Sequence, residues 1–201
     1  MVEYLIVAAV TYLIGSVSFG AIVAKHHGVD IFSVGSKNSG ATNVKRSVGS
    51  GAGNLVFILD FLKGMLPCWA IVNFVQKGND LNLKLAICAL VSIVMGHSFS
   101  IFYRFCGGKG VASTMGGLLA IVPGTFVVGV MVWLVIFHAT RIVSFASLCF
   151  ASSLMLTSYL FGYPRECVIL TIVLNIVIFI LHKDNISRLI KGTEYKFTQK
   201  H

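Results

Sequence analysis

The sequence is poor in charge. Only 11% of its 201 residues are Asp, Glu, Lys or Arg, whereas 56% are hydrophobic, and the mean hydropathy is +0.87. Soluble globular domains carry about 25% charged residues, so this composition excludes a soluble domain and a disordered chain and indicates a membrane protein. Acidic residues are the scarcer sign, 7 against 16 basic ones, which leaves a net charge of +9. In a membrane protein such an excess sets the topology or binds phosphate groups, rather than nucleic acid.

The sequence also lacks the signatures of several enzyme classes. It has no H-E-x-x-H motif and no Cys/His cluster with metal-ligand spacing, so neither a metal nor another cofactor is expected. It has no G-x-S-x-G nucleophile elbow and no H-x-x-x-x-D acyltransferase dyad. Its cysteines form no C-x-x-C pair, so we interpret all five as reduced packing residues: Cys68, Cys88, Cys106, Cys149 and Cys167.

Long apolar runs predict transmembrane helices, each needing ~20 residues to cross the ~30 Å hydrocarbon layer. The stretch 110–140 is ambiguous, because Pro123 and Gly124 interrupt it near its middle. Two helices there place 12 Lys and Arg residues on one side of the membrane and 3 on the other, whereas one helix places 7 against 8. The positive-inside rule favours two helices, with the amino terminus outside and the carboxyl terminus in the cytoplasm.

We therefore predict an all-α polytopic integral membrane protein with one domain, 1–201, and glycine-rich cytoplasmic loops that form its active site. The seven predicted spans lie at about 4–24, 55–75, 85–103, 111–122, 125–140, 142–162 and 166–182.

The first cytoplasmic connection, 35–46, combines glycines, hydroxyl and amide side chains and two cations. Glycines let backbone N–H groups approach an anion, and Arg can grip phosphate oxygens with two hydrogen bonds. The alternative interpretation is an ordinary polar connection with topogenic charges. The candidate binding residues are Ser36, Asn38, Gly40, Thr42, Asn43 and Arg46.

The second connection places Gly107, Gly108 and Gly110 around Lys109, between two apolar runs. Such a loop can wrap an oxyanion. It is not a Walker A loop, because Tyr103 and Gly110 stand where Gly and Ser or Thr are required, and nucleotide hydrolysis is not expected. A tight turn with one topogenic lysine is the alternative.

Further candidates stand at the ends of the last two predicted spans: Arg141 and Ser144, then His182, Asn185 and Arg188. His182 and Asn185 are three residues apart, so a continuing helix would place them on one face. A helix cap or a hydrogen bond back to the preceding helical turn is the alternative for Ser144, and an interfacial position is the alternative for His182.

Two charges stand inside the second predicted span. Asp60 and Lys63 are three residues apart, and we expect an intramembrane ion pair or a loop anchor, because isolated charges in lipid are costly. For His97, at the end of the third span, we expect a structural hydrogen bond to a loop.

The order of these motifs resembles the bacterial acyl-phosphate:glycerol-3-phosphate acyltransferase family, PlsY, nearly end to end. Gly15-Ser16, Asp60 with 62–64, Gly96-His97 and Arg141 with Ser144 also stand where that family has them. Ser39, Cys106 and Lys183 depart from its pattern, and Cys106, where lysine is common, weakens the local positive charge. The resemblance rests mainly on 35–46 with its Gly-Ala-Thr-Asn core, on 107–112, and on the closing residues His182, Asn185, Ile186, Arg188, Leu189, Gly192, Thr193 and Glu194.

This resemblance implies a multi-pass enzyme of the bacterial cytoplasmic membrane, with its active site facing the cytoplasm. It would transfer a fatty acyl group from acyl phosphate to the 1-hydroxyl of glycerol 3-phosphate, giving 1-acylglycerol 3-phosphate (lysophosphatidate) and inorganic phosphate. This is the first step of phospholipid synthesis. The expected partners are both substrates, membrane lipid and, by functional coupling, an enzyme that makes acyl phosphate; nucleic acid is not among them.

The resemblance also suggests residue roles. The phosphate of glycerol 3-phosphate would be bound by Ser36, Arg46, Ser144 and His182. Acyl phosphate and the developing negative charge would be held by Lys109, the glycine N–H groups and Asn185. Thr42 and Asn43 would order the first loop, and the hydroxyl proton would pass to the substrate's own phosphate or to His182.

Two other classes of protein compete with this interpretation. A small transporter for a phosphorylated or anionic solute would also need basic, glycine-rich loops, but it predicts polar residues deep inside several spans. The second class is a membrane scaffold, in which Lys109→Ala would have no effect on function.

Overall fold

The computed structural model describes residues 1–75 and 79–197, and all regular structure in these residues is helical. The chain divides into two compact units, Met1–Ile121 and Val122–His201. The prediction of one domain over 1–201 stays a prediction. Two of the lysines counted for topology, Lys77 and Lys200, lie outside the described residues.

The helices of each unit pack mainly as neighbouring pairs. In the first unit α4 packs most extensively on α6, and α1 on α5; in the second, α8 packs on both α7 and α9. The first unit contains α1 (Val2–Ser16), α2 (Phe19–His26), α3 (Ala41–Ser47), α4 (Ser50–Phe74), α5 (Asn79–Ser98), a short 3₁₀ helix (Ile101–Tyr103) and α6 (Val111–Ile121). The second contains α7 (Pro123–Thr140), α8 (Val143–Leu160), α9 (Arg165–Leu181) and α10 (Lys183–Ile190).

The protein is a polytopic membrane protein. Five helical segments of the described chain are long and apolar enough to span a membrane, and α9 with α10, bent by 65°, would make a sixth. Helix α6 corresponds to the fourth predicted span, 111–122; it has 11 residues and measures only about 16 Å. Seven of these residues are buried, so its backbone lies within protein, where a short helix is tolerated at membrane depth. Seven crossings and their orientation stay predictions.

The first predicted span, 4–24, matches a candidate membrane span at Val2–His26, but its helix is interrupted rather than continuous. The chain breaks at Val17, which is extended, and the Ser18 side chain caps α2 by accepting a hydrogen bond from the Ala21 N–H. Distant side chains satisfy the carbonyls at the break: Ser100 Oγ donates to the Ser16 oxygen at 2.6 Å, and Lys63 Nζ to the Val17 oxygen at 3.0 Å. Local sequence could not reveal partners so far along the chain.

The break near Pro123 is confirmed. Helix α6 ends at Ile121 and α7 begins at Pro123, where a first-turn proline needs no backbone donor. The ambiguous stretch is therefore two helices.

Glycines allow the closest helix contacts of the first unit. Where α4 packs on α6, a Cβ added at Gly64 or Gly116 would overlap a backbone carbonyl of the opposite helix. Gly15 and Gly96 do the same between α1 and α5. Small residues let helix backbones approach closely within a membrane, where dispersion replaces the hydrophobic effect as the main attraction.

The cysteine prediction holds for packing at two positions and is wrong at one. Cys68 and Cys167 are buried, and Cys88 and Cys149 are partly buried. Cys106 is exposed, because it lies in a loop rather than in a packed helix. All five are free thiols.

Candidate active site

In the structure the predicted connection 35–46 divides into a loop, residues 28–40, which keeps the name first loop, and helix α3; the side chain of Asn43, at the start of α3, organises this loop. Its Nδ2 lies 2.9–3.3 Å from the carbonyl oxygens of Ile31, Val34 and Asn38, and its Oδ1 accepts a hydrogen bond from the Ser36 N–H at 2.9 Å. The side chain is 2% exposed. These contacts order the loop, as expected for Asn43, and they occupy its amide with backbone groups. Direct substrate contact by Asn43 stays a prediction.

Asn38 joins the two predicted phosphate-binding loops. Its Nδ2 donates to the Gly107 carbonyl at 3.0 Å, and its Oδ1 accepts from the Gly40 N–H at 2.8 Å. The glycine loop, Gly107–Gly110, therefore lies against the first loop, although 69 residues separate the two bonded positions. Of the other candidates in 35–46, Ser36 and Thr42 are partly buried and Arg46 is exposed.

The glycine loop packs tightly against the end of α5. The Gly108 N–H donates to the His97 backbone carbonyl at 2.9 Å, so residue 97 does bond a loop as expected, but through its backbone rather than its imidazole. A Cβ at Gly107 would overlap this carbonyl, and a Cβ at Gly108 would overlap the His97 ring. Gly110 has a φ of +74°. Close approach to His97 is thus a physical reason for these glycines, and their backbone could still serve an anion.

The predicted ion pair lies beneath these loops. Lys63 Nζ is 2.7 Å from Asp60 Oδ1, and both side chains are almost completely buried, so the predicted ion pair is confirmed. His97 Nδ1 lies 3.6 Å from the same carboxylate oxygen. Because Lys63 also donates to the Val17 carbonyl, the pair anchors backbone as well.

In the second unit, three predicted site residues converge on Glu194. Its Oε1 accepts from Ser144 Oγ at 3.0 Å and from Asn185 Nδ2 at 2.7 Å, while its Oε2 accepts from Arg188 Nε at 2.7 Å. The Glu194 side chain is only 6% exposed. The helix-cap interpretation of Ser144 is wrong, because Ile142 is the N-cap of α8 and the Ser144 hydroxyl donates to Glu194.

Sequence reasoning did not select Glu194 as a site residue. The available signal was its place at the end of the closing motif, as the one acidic residue directly after the basic segment 188–191. A carboxylate that accepts from hydroxyl, amide and guanidinium donors fixes their orientation. Arg141, by contrast, has an exposed side chain, and its carbonyl accepts from the Phe197 N–H at 2.7 Å.

His182 occupies the bend between α9 and α10. The two helices meet at 65°, so α9 does not continue straight through residue 182, and His182 is instead the N-cap of α10, the helix that holds Asn185. His182 is 3% exposed, and its Nδ1 lies 2.8 Å from the Ile178 carbonyl. Because a carbonyl only accepts hydrogen bonds, Nδ1 carries the proton, and Nε2 of the neutral ring is then the acceptor nitrogen.

Comparison with known proteins identifies the family. The profile of the family described as "Glycerol-3-phosphate acyltransferase" matches residues 5–192. The chain belongs to this family. The glycerol-3-phosphate acyltransferase of Aquifex aeolicus (strain VF5) is 42% identical to it over 186 residues, which cover 92% of this chain and 95% of that protein. The glycerol-3-phosphate acyltransferase of Endomicrobium trichonymphae is also 42% identical, covering 93% and 92%.

Solved structures of this glycerol-3-phosphate acyltransferase family share the fold. The crystal structure of PlsY (YgiH), an integral membrane glycerol 3-phosphate acyltransferase, in its glycerol 3-phosphate form matches with a TM-score of 0.90 at 39% identity, covering 97% of this chain and 96% of that chain. Its lysophosphatidic acid form matches with a TM-score of 0.87 at 38% identity, covering 97% and 95%. The resemblance to PlsY that the motifs indicated is confirmed.

Proposed function

We propose that this protein acylates glycerol 3-phosphate. The observation that carries the proposal is the family match over residues 5–192. It is supported by the PlsY structures, which are described in a glycerol 3-phosphate form and a lysophosphatidic acid form. The hydrogen bond between Asn38 and the Gly107 carbonyl supports it further, because it joins the two predicted phosphate-binding loops within one compact unit.

The acyl donor in this proposal is acyl phosphate. The 1-hydroxyl oxygen of glycerol 3-phosphate attacks the acyl carbonyl carbon, forming the ester bond. The bond between that carbon and the phosphate oxygen breaks, and inorganic phosphate leaves with the electron pair. Because an acyl phosphate has a good leaving group, holding the two substrates together supplies much of the rate, and no covalent enzyme intermediate is needed.

Lys109 and the glycine-loop N–H groups are the proposed stabilisers of negative charge on the acyl phosphate. Ser36 and Arg46 are proposed to bind the phosphate of glycerol 3-phosphate. In the second unit, Ser144, His182 and Asn185 keep their predicted roles as proposals. Glu194 enters as a residue that orients the Ser144 and Asn185 donors.

Two groups are candidates for the base that takes the hydroxyl proton. The first is the phosphate of the substrate itself. The second is His182, whose hydrogen bond through Nδ1 leaves Nε2 as the basic nitrogen of the neutral ring. We place the site on the cytoplasmic side, because the predicted topology puts most basic residues there.

The test is release of inorganic phosphate by the purified protein, given acyl phosphate and glycerol 3-phosphate together and with each omitted in turn. We expect release to require both substrates and to match formation of 1-acylglycerol 3-phosphate. Lys109→Ala should abolish it, whereas Lys191→Ala, at an exposed position after α10, should not.

Three outcomes would count against parts of this proposal. Failure of a well-folded protein to acylate glycerol 3-phosphate from either acyl phosphate or acyl-CoA would refute acyl transfer, and uptake of anionic solute by proteoliposomes would then support a transporter. Activity with acyl-CoA but not with acyl phosphate would refute the donor. Full activity of Lys109→Ala would remove the glycine-loop lysine from the mechanism.

A further inference from the structure

We infer that the buried cluster of Asp60, Lys63 and His97 positions both loops of the first unit for the reaction. The inference rests on the proposed function and deepens it, since these residues lie beneath the loops rather than among the proposed ligands. Asp60 is 1% exposed, and Lys63 and His97 are each 6% exposed. A buried ion pair is weak evidence for stability, because well-packed apolar residues often replace one without loss. The contacts of the cluster with the two loops therefore indicate its role better than its stability does.

One arm of the cluster reaches the first loop through α2. Lys63 Nζ donates to the Val17 carbonyl at 3.0 Å and lies 5.5 Å from the centre of the Phe19 ring, so it holds the break where α2 begins. One residue further along α2, Gly20 is so close to the Ser39 carbonyl that a Cβ there would overlap it. The position of α2 thereby determines where the first loop lies.

The other arm reaches the glycine loop through His97. Asp60 Oδ1 lies 3.6 Å from His97 Nδ1, a contact slightly longer than a hydrogen bond, between two side chains that are almost completely buried. The opposite edge of the ring, at Nε2, is where a Cβ on Gly108 would stand. The His97 carbonyl accepts from the Gly108 N–H at 2.9 Å. Lys109, the proposed stabiliser of negative charge, is the next residue.

The two loops that these contacts support are also bonded to each other. Asn38 Nδ2 donates to the Gly107 carbonyl, which joins the loop held through Lys63 to the loop held through His97. The carboxylate of Asp60 contacts both Lys63, on the side of the first loop, and His97, on the side of the glycine loop. A displacement of about 1 Å in such a support can cost ~100-fold in rate, because reacting groups must be held in a near-attack geometry.

The experiment replaces both members of the ion pair at once, in the full chain. The double variant Asp60→Leu with Lys63→Met leaves no unpaired charge in the membrane, so it separates positioning from the penalty of a lone buried charge. Its matched control is Asp80→Asn with Lys84→Gln, which removes an exposed ion pair of the same 2.7 Å length on α5. A second variant, His97→Gln, keeps the ion pair and alters only the support of the glycine loop.

We measure kcat, KM for each substrate and the thermal unfolding midpoint in detergent. Positioning predicts that the double variant and His97→Gln lose at least about tenfold in kcat at nearly unchanged thermal stability, whereas the Asp80/Lys84 control keeps its kcat. Unchanged kcat in both cluster variants would overturn the inference. A loss of activity that only follows a loss of thermal stability would overturn it as well.

An independent readout is the alkylation rate of Cys106, which is exposed and directly precedes the glycine loop. Peptide-resolved labelling separates it from the partly buried Cys88 and Cys149. Positioning predicts a changed rate at Cys106 alone in both cluster variants; equal changes at all three thiols would indicate general loosening and contradict it. If wild-type protein proves inactive with glycerol 3-phosphate, the proposed function fails, while the Cys106 rates still report whether the cluster holds the loop.

Discussion

Glu194 receives hydrogen bonds from a serine, an asparagine and an arginine that the sequence had marked as binding candidates. The pattern recurs in the first unit, where the Asn43 amide bonds four backbone positions and the Asn38 amide bonds two. Single side chains with several hydrogen-bonding atoms thus order the segments around the candidate site. Their residue types are those that bind phosphate, and for this reason sequence reasoning assigned both asparagines to substrate.

Glu194→Gln keeps the size of the side chain and removes its charge. We expect the free energy of unfolding to fall by about 1–3 kcal/mol, because a charged acceptor shared by three donors is lost in a nearly buried position. Asp184→Asn, at an exposed position in the first turn of α10, is the control and should change it much less. Thermal unfolding in detergent measures both, and equal midpoints for the two variants would contradict the orienting role of Glu194.

His182→Gln distinguishes the two candidate bases. If His182 mainly binds phosphate, the KM for glycerol 3-phosphate rises and kcat changes little. If Nε2 of His182 takes the hydroxyl proton, kcat falls by ~100-fold or more at unchanged KM. Steady-state kinetics over both substrates measures this difference, with His138→Gln at an exposed position near the end of α7 as the control.

At the scale of helices, the departures from regular structure occur where the chain supports the candidate site. The break at Val17 separates α1 from α2, the helix that packs against the first loop. The bend at residue 182 turns α10 away from the axis of α9. Backbone groups at both breaks have hydrogen-bond partners. At the first break, side chains donate to the carbonyls of Ser16 and Val17; at the second, the His182 N–H donates to carbonyls of α9. A broken helix is stable in a membrane only when its freed backbone groups find such partners.

Gly116→Ala tests the close contact between α4 and α6. The added Cβ would overlap the Phe61 carbonyl, and backbone cannot yield as a flexible side chain does. We expect a loss of about 1–3 kcal/mol in stability, the usual cost of overpacking. Gly51→Ala in α4 is the matched control, since its Cβ meets nothing within 4 Å, and alanine there should preserve or raise stability. A lower unfolding midpoint for Gly51→Ala than for Gly116→Ala would contradict this account.

At the scale of the whole molecule, the number of crossings decides on which side the site lies. Among residues 1–75 and 79–197, length and composition support five spans, or six with the bent pair, and α6 has only 11 residues. The charge distribution in the sequence nevertheless predicts seven crossings, which α6 and α7 would complete as separate segments.

Reporter fusions at the two termini measure the parity of these crossings. Seven crossings place the termini on opposite sides of the membrane, with the carboxyl terminus in the cytoplasm, so a reporter that is active only in the cytoplasm should work at that end alone. A reporter active at both ends would indicate an even number and move the proposed side of the site. A single cysteine placed at the exposed Lys191, labelled from either side, provides the check.

Much of this protein could be predicted from sequence, because its strongest signals are local. Apolar run length predicted where helices lie, Pro123 predicted the break before α7, and the three-residue spacing of Asp60 and Lys63 predicted their pairing. The order of short motifs identified the family. Each of these signals depends on neighbours within a few residues or on composition, and each survives without knowledge of packing.

What only the tertiary structure decided depends on partners far apart in the chain. The break at Val17 follows from donors at Lys63 and Ser100, and the glycines at 107 and 108 follow from contact with His97. The role of Glu194 follows from its approach to Ser144, fifty residues earlier. The sequence by itself determined that this is a membrane protein, where its helices lie and which family it belongs to, since apolar length, charge and motif order are local properties. Which buried polar groups pair with one another was decided only by the tertiary structure. Each such group needs a hydrogen-bond partner, and packing determines which partners are near it.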